Sequence, residues 1–280
     1  MKVFFPVSLA ELWHVWQQYP HGVVFAGGTD VFVRRRRSGA DPDVLIGLER
    51  LPEMSYVRQE GTLLRIGATA SLEEVRQHPA IAKLTAFKEA LDGFASPPIR
   101  HSATIGGNIC TASPAADCLP PLYVFDAVVR VDGVAGSREV AVDDFFLGPG
   151  RTVLQPGEIV TEVTITLPTS SIYTWYRKVG KRRAMAIAVA SLAVLASKDA
   201  AGRLISLRLA WGSMGPTIVT MPQIEQLLTG RILTTGLIRE AASQVAAAVQ
   251  PIDDLRATAS YRQRLAGNML VSALQDLQEK

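Results

Sequence analysis

The sequence predicts an α+β fold in two domains, on three observations. Short apolar or alternating runs that read as strands are interleaved with capped amphipathic helices. Several of those runs follow one another with only turn residues between them, as antiparallel strands do. The last part of the chain, from about Pro222, is helical and follows a strand-rich stretch. Pro168-Thr169-Ser170-Ser171 is the best linker, separating an N-terminal domain (1–168) from a smaller C-terminal domain (172–280) of antiparallel strands backed by helices.

Taken in order, Ser8-Leu9-Ala10-Glu11 is a capping box, and Leu9, Leu12, Trp13 and Trp16 follow at helical spacing. This predicts a first helix to about Gln18 with its aromatic stripe in the core. Val23–Phe25 is a strand, and Thr29 or Asp30 caps a short helix that carries Arg34 to Arg37. Val44–Leu48 is a strand, and Met54–Val57 with Leu63–Ile66 reads as a hairpin around Glu60-Gly61. A second capping box starts at Ser71, and a helix over Pro79–Leu91 is closed by Gly93. Pro97-Pro98 predicts an extended approach to the next loop. Strands are expected at Ala127–Val131, Arg138–Val142, Ile159–Leu167, Tyr173–Val179 and Leu204–Trp211. Ala186–Ala196 is ambiguous: its alanines favour helix, its continuous apolar content a buried strand. Helices follow at about Pro222–Leu228, Thr235–Val249 and Arg256–Leu277.

Composition narrows the function classes. At 280 residues, 48% hydrophobic and 20% charged, the chain has the profile of an ordinary globular protein. A formal charge of +3 is too small to imply nucleic acid, and the Arg34–Arg37 run has no aromatic interleaving for base stacking. That run reads as a solvated helix end or as a contact for an acidic partner. No apolar run reaches the ~18 residues of a membrane span. The first residues place an acid and a proline where a signal peptide keeps its apolar stretch, so a cytoplasmic chain is expected. Cys110 and Cys118 are the two cysteines, too few for an iron–sulfur cluster and without zinc spacing. No resident metal is expected, and both cysteines read as small buried packing residues. His14, His21, His78 and His101 are scattered with no paired acid or nucleophile, and none is given a role.

Two glycine pairs hold the candidate chemistry. Ala26-Gly27-Gly28-Thr29-Asp30 follows the apolar run Val23–Phe25, and Thr104-Ile105-Gly106-Gly107-Asn108 opens a loop rich in short polar residues through Thr111, Ser113 and Asp117. Gly106 and Gly107 are expected to take positive φ and admit a ligand to bare backbone. Successive N–H groups in such turns point into one concavity and bind anions, and two such nests suit a diphosphate. Either loop alone also reads as an ordinary tight turn. Asp117 cannot serve a phosphate, since like charges repel, and is suited to accept hydrogen bonds from a hydroxyl or amine.

Together, A-G-G-T-D followed by T-I-G-G-N, S-P and Asp117 resemble the FAD-binding subunit of the molybdenum hydroxylases, the group of the carbon monoxide dehydrogenase medium subunit and the xanthine dehydrogenase flavin domain. The likeness continues through D-D-F-F-L-G-P-G (143–150), P-G-E-I-V (156–160), R-K-V-G-K-R-R (177–183) and P-I-D-D-L-R-A-T-A-S-Y-R (251–262). The resemblance implies a two-lobed FAD-binding domain of the vanillyl-alcohol-oxidase/PCMH type, its lobes about 1–55 and 56–168, followed by a C-terminal domain of the molybdenum hydroxylase flavoprotein type. It implies that Thr104, Thr111 and Asp117 contact FAD, that Lys178 reaches toward the flavin ring, and that Val160 packs against it. For Val160 a plain core valine is the equal alternative. It further implies an electron-transfer subunit that receives electrons from a [2Fe–2S] small subunit and passes them to NAD⁺ or another carrier. Substrate would be oxidised on a molybdopterin-containing large subunit.

Two departures stand out. The family's arginine in its C-terminal a-P-x-x-x-R segment is replaced by Thr220, and the chain lacks the cysteine-bearing insertion of the 4-hydroxybenzoyl-CoA reductase branch. The rival readings are a self-contained flavin oxidase, for which no substrate base is visible, and a nucleotide-binding scaffold using Arg34–Arg37.

Overall fold

The structure, a computed structural model, describes residues 1–38, 42–170, 172–182 and 184–280 and, of Arg37 and Ser38, the backbone. Ser171 of the expected linker and Arg183 lie outside the described residues. The chain begins with β1 (Lys2–Phe4), α1 (Leu9–Gln18), β2 (Val23–Phe25), α2 (Val31–Ser38), β3 (Val44–Gly47), β4 (Val57–Glu60) and β5 (Leu63–Gly67). Five helices follow: α3 (Leu72–Gln77), α4 (Thr85–Asp92), α5 (Pro97–Ser102), α6 (Ile105–Cys110) and α7 (Leu119–Val124). Next come β6 (Val128–Gly133), β7 (Gly136–Ala141), β8 (Phe146–Gly148), β9 (Arg151–Thr152) and β10 (Glu158–Thr166). The chain ends with β11 (Tyr173–Val179), β12 (Ala190–Lys198), β13 (Leu204–Gly212), β14 (Val219–Thr220), α8 (Pro222–Leu228), α9 (Thr235–Ala248) and α10 (Ala259–Glu279).

The residues pack as two compact units. The first takes Met1–Ala80, Ala95–Ala112 and Ala127–Thr166; the second takes Ile81–Phe94, Ser113–Asp126 and Leu167–Lys280. Two short segments of the N-terminal half, those with α4 and α7, therefore belong by packing with the C-terminal strands.

In the first unit a parallel sheet in the order β1-β3-β2 has β3 at its centre, buried along its whole length. Beside it, β4-β5-β10-β6-β7 forms an antiparallel sheet. Its central strand, β10, is a near-continuous buried run with a bulge at Thr161, where the register shifts between Val160 and Glu162. The segment between the sheets is held by α3 and α5. Ser71 caps α3 in a complete capping box, and the Leu72 N–H donates to the Ala103 carbonyl. Glu73 is 5% exposed and gathers Arg76 at 2.5 Å, Arg100 at 2.9 Å and Gln77 at 2.8 Å. Arg100 lies on α5, so this carboxylate ties α3 to the residues that enter the T-I-G-G-N segment.

The second unit is a sheet in the order β11-β12-β13-β14 with a layer on each face. Alternation along the strands sends Trp175, Leu192, Val194, Leu209 and Trp211 to one face, where they pack with Ile238, Val245, Leu270 and Leu274 of α9 and α10. The other face, with Tyr176, Lys178, Ser191, Ala193 and Ala210, meets α4 and α7. The exposed edge of β11 is blunted by α4: Glu89 accepts the Tyr176 N–H at 3.0 Å, and Thr174 Oγ1 accepts the Ala86 N–H at 3.3 Å.

Several expectations are corrected. Pro97 and Pro98 open a helix and do not force an extended run, because both occupy its first turn, where a missing N–H is harmless. The Pro79–Leu91 helix is split into a 3₁₀ turn over Pro79–Lys83 and α4. Ala186–Ala196 resolves as irregular chain and then β12, whose burial on both faces overrides the helix preference of its alanines. Met54 lies in a 3₁₀ turn outside the hairpin. The buried stripe of α1 is Leu12 and Val15; Trp13 and Trp16 stack on each other 6.1 Å apart and remain half-buried.

The arginines hold the Glu73 carboxyl well below the usual carboxylate range, Arg76 foremost. A depressed acid stabilises the fold above its unfolded pKa, ~4.3, and loses that contribution as pH falls through the folded value. We predict that Glu73→Gln lowers the unfolding free energy by about 2 kcal/mol at pH 7. The deficit should shrink steadily below pH ~4. Chemical denaturation at both pH values measures it.

Candidate functional site

The A-G-G-T-D segment is the turn from β2 into α2. Gly28 has φ +69°, and the N–H groups of Gly27, Gly28, Thr29 and Asp30 find no acceptor among the described residues. Unused donors in succession around a left-handed residue make an anion nest, at the positive end of the following helix. Ala26 and Thr29 are half-buried within the same turn. The turn is pressed against the end of α5: a Cβ on Gly27 would sit on the carbonyl group of Ser102.

The second motif differs from expectation. Gly106 and Gly107 are helical, within α6, and neither has positive φ. Their N–H groups are taken. Gly106 donates to Ala68 O at 2.9 Å and Gly107 to the capping hydroxyl of Thr104 at 3.1 Å, while Ile105 and Asn108 donate to Ala70 O and Thr104 O. No nest forms there. Glycine is required at 106 for a different reason, since a Cβ would lie 2.7 Å from that of Ala68 and 2.8 Å from its carbonyl oxygen. What α6 does leave unused is Asn108 Oδ1, which is buried without a partner.

Thr111 links the two segments. Its hydroxyl lies 3.4 Å from Asp30 Oδ2, and its carbonyl accepts from Arg34 at 3.2 Å. Arg34 is also paired with Asp30 at 2.5 Å. The sequence reading missed Arg34 as a site residue by grouping it with Arg35 to Arg37; the signal available was its i+4 spacing from Asp30. Val160 is buried in β10, and its backbone meets the Cys110 thiol. Cys110 itself is exposed, correcting its assignment as a buried packing residue, while Cys118 is buried as expected.

Ser113, Asp117 and Lys178 belong to the second unit. Ser113 Oγ accepts the Ala115 N–H at 3.3 Å. Asp117, 7% exposed, pairs with Lys178 at 2.6 Å, and Lys178 Nζ also donates to Gly93 O at 2.8 Å. Burial pushes the Asp117 carboxyl up to about 6, with Lys178 pulling the other way. Its second oxygen, Oδ1, is buried without a hydrogen-bond partner. Among the described residues no three His, Cys, Asp or Glu side chains gather to hold a metal ion, and no helix is long and apolar enough to cross a membrane.

Residues 1–169 match the family model of the FAD binding domain in molybdopterin dehydrogenase, and residues 175–277 that of the CO dehydrogenase flavoprotein C-terminal domain. The chain belongs to this family of FAD-binding oxidoreductase subunits. The nicotinate dehydrogenase FAD-subunit of Eubacterium barkeri is 33% identical over 240 residues, covering 83% of this chain and 81% of that one. The carbon monoxide dehydrogenase medium chain of Hydrogenophaga pseudoflava is 30% identical over 253 residues, covering 90% and 87%. A solved structure of carbon monoxide dehydrogenase from that organism, lacking the Mo-pyranopterin moiety, superposes with TM-score 0.92 at 28% identity, covering 98% of this chain and 96% of its counterpart.

FAD is the family's cofactor, and the unused groups fit its chemistry. The N–H row from Gly27 to Asp30 supplies neutral donors for a diphosphate, and Asn108 Oδ1 is an acceptor for a hydroxyl or amine group. A Cβ at Gly107 would meet only Thr104 Oγ1, at 2.9 Å, whereas one at Gly27 collides with backbone. We therefore expect Gly27→Ala to weaken FAD binding at least ~30-fold, and Gly107→Ala to fold with a Tm near wild type. Flavin fluorescence titration and thermal melts of both variants check this pair of outcomes.

Proposed function

We propose that this chain is the electron-transfer flavoprotein subunit of a cytoplasmic, multi-subunit molybdenum hydroxylase, with 1–168 and 172–280 as its two modules. It takes electrons from a [2Fe–2S] small subunit and delivers them to NAD⁺ or another acceptor, while a molybdopterin-containing large subunit oxidises the substrate. The observation that supports this most directly is the row of unused N–H groups at Gly27–Asp30, in a region whose family binds FAD. Relatives described as a medium chain and an FAD-subunit support the division of labour.

Within that reading each residue has a task. The Ala26–Asp30 turn holds the diphosphate through its backbone, with Arg34 fixing Asp30 from behind. Thr104 caps the helix that packs Gly106 against Ala68 and leaves Gly107 exposed, and Asn108, Thr111 and Ser113 each offer a short polar side chain to the cofactor. Asn108 and Asp117 accept from hydroxyl or amine groups, and Val160 offers an apolar surface for the ring. Bound FAD supplies the redox chemistry, exchanging electrons singly or in pairs. Lys178 provides a cation for the ring and is itself balanced by Asp117 at 2.6 Å.

Heat-released cofactor should run as FAD, and the chain should co-purify with a molybdenum-containing large subunit and an iron–sulfur subunit, as read by mass spectrometry and metal analysis. Purified alone, it should fail to oxidise the holoenzyme's substrate yet pass electrons from NADH to an artificial dye. Substrate turnover by the lone chain would instead indicate a self-contained oxidase. Lys178→Met should slow flavin reduction by about tenfold or more while changing the FAD dissociation constant less than about threefold, because a cation matters most once the ring gains negative charge. Stopped-flow absorbance and fluorescence titration separate the two.

A further inference from the structure

Behind the Asp117–Lys178 pair the structure buries more polar groups than that pair uses. Tyr176 and Lys178 are two apart on β11 and share a face; Ser191 on β12 is in register with Lys178, and Gly212 on β13 with Ser191. Tyr176 is 8% exposed, Ser191 1% and Asp117 7%. The Tyr176 hydroxyl, Ser191 Oγ and Asp117 Oδ1 each lack a well-formed hydrogen bond, yet the phenol faces both Asp117 and Ser191. Three polar atoms with no partner are rarely left together inside a fold, because each forfeits its hydration. Gly212 preserves the space, since a Cβ there would land on Ser191 Oγ and come within 3.3 Å of Pro120.

We propose that Tyr176 and Ser191 are positioning residues for the Asp117–Lys178 pair: the Tyr176 hydroxyl donates to the free oxygen of Asp117, and Ser191 orients that hydroxyl. The arrangement keeps Asp117 ionised opposite Lys178 at neutral pH and releases Lys178 from its counter-charge as pH falls. Lys178 and Tyr176 face Asp117 from β11, Cys118 adjoins it, and Gly93 presents a carbonyl to Lys178. Glu89 of α4 accepts the Tyr176 N–H, and β12 and β13 contribute Ser191 and Gly212. Burial keeps the Tyr176 phenol and the Cys118 thiol protonated at neutral pH, leaving Asp117 as the group that titrates near it. No proton transfer to the flavin is implied.

The functional side of this inference rests on the reading that Asp117 and Lys178 serve FAD, and the test keeps the two apart. The carboxyl of Asp117 is followed by ¹³C NMR or infrared difference spectroscopy in the full-length apoprotein from pH 4.5 to 8. Removing a donor from the carboxylate raises its midpoint, so Tyr176→Phe should shift it upward by about one pH unit and Ser191→Ala by a smaller amount in the same direction. FAD affinity, titrated by fluorescence over the same range, should then be unchanged at pH 8, weakened about twofold at the new midpoint and about tenfold one pH unit below it. An unmoved midpoint in folded Tyr176→Phe overturns the inference, and Ser191→Ala gives a second readout should that variant unfold. A shifted midpoint with FAD affinity unchanged by Asp117→Asn leaves the positioning role standing and removes Asp117 from the cofactor site.

Discussion

The first unit depends on backbone meeting backbone where no side chain fits. Gly27 lies against the Ser102 carbonyl, Gly106 against Ala68, and Gly67 against the carbonyl of Met54. These approaches occur where the A-G-G-T-D turn meets the end of α5, where α6 meets the end of β5, and where β5 meets the 3₁₀ turn at Pro52–Met54. Each removes a side chain's thickness from between elements far apart in sequence. The Glu73 carboxylate clamps α3 to α5, so the turn at Ala26–Asp30 rests on a fixed wall. A site built this way keeps its donors in place before any ligand arrives, and binding then pays little ordering entropy.

Much of this was legible in the sequence, and the failures share a cause. Ser8, Ser71 and the strands Tyr173–Val179 and Leu204–Gly212 follow from capping and alternation, both local properties. The glycine pairs stand out in the sequence, but glycine has two uses and the sequence does not say which applies. At Gly28 it permits a left-handed turn; at Gly106 it permits close packing within a helix. The nest expected at Thr104–Asn108 therefore does not exist, and the segment's contribution lies in Thr104 as a cap and in Asn108 Oδ1. Tyr176 was missed because Asp117, which it faces, lies well outside any local window, whereas for Arg34 the i+4 pairing with Asp30 is local and only the contact with Thr111 is not. The sequence reads Pro79–Leu91 as a helix and Ser113–Asp117 as a polar loop, yet nothing local shows that Ile81–Phe94 and Ser113–Asp126 pack with the strands of Leu167–Lys280.

That covering explains why the second unit can hold charge. The face of its sheet toward α9 and α10 is filled by Trp175, Trp211, Leu192 and Val194, whose bulk leaves no room for polar groups. The face toward α4 and α7 is built from Ala193, Ala210 and Gly212 around Tyr176, Lys178 and Ser191. Small residues there let α7 approach closely, so Asp117, just before α7, is buried without being crowded out. A carboxylate in that position needs a cation within reach, and β11 supplies Lys178 at 2.6 Å.

The pair matters because its net charge is adjustable. Under the proposed reading, with Asp117 ionised, Lys178 is neutralised and the flavin ring feels little field; once Asp117 takes a proton, the same lysine stands alone in a low-dielectric setting, where its influence is larger. Burial places that change at a carboxyl pKa of about 6, within a physiological range, whereas an exposed aspartate would have ionised far below it. A lysine without a counter-charge would favour negative charge on its neighbour at every pH. Under the proposed reading, Asp117 makes that preference conditional on a proton, and the unpartnered hydroxyls of Tyr176 and Ser191 set where the condition falls.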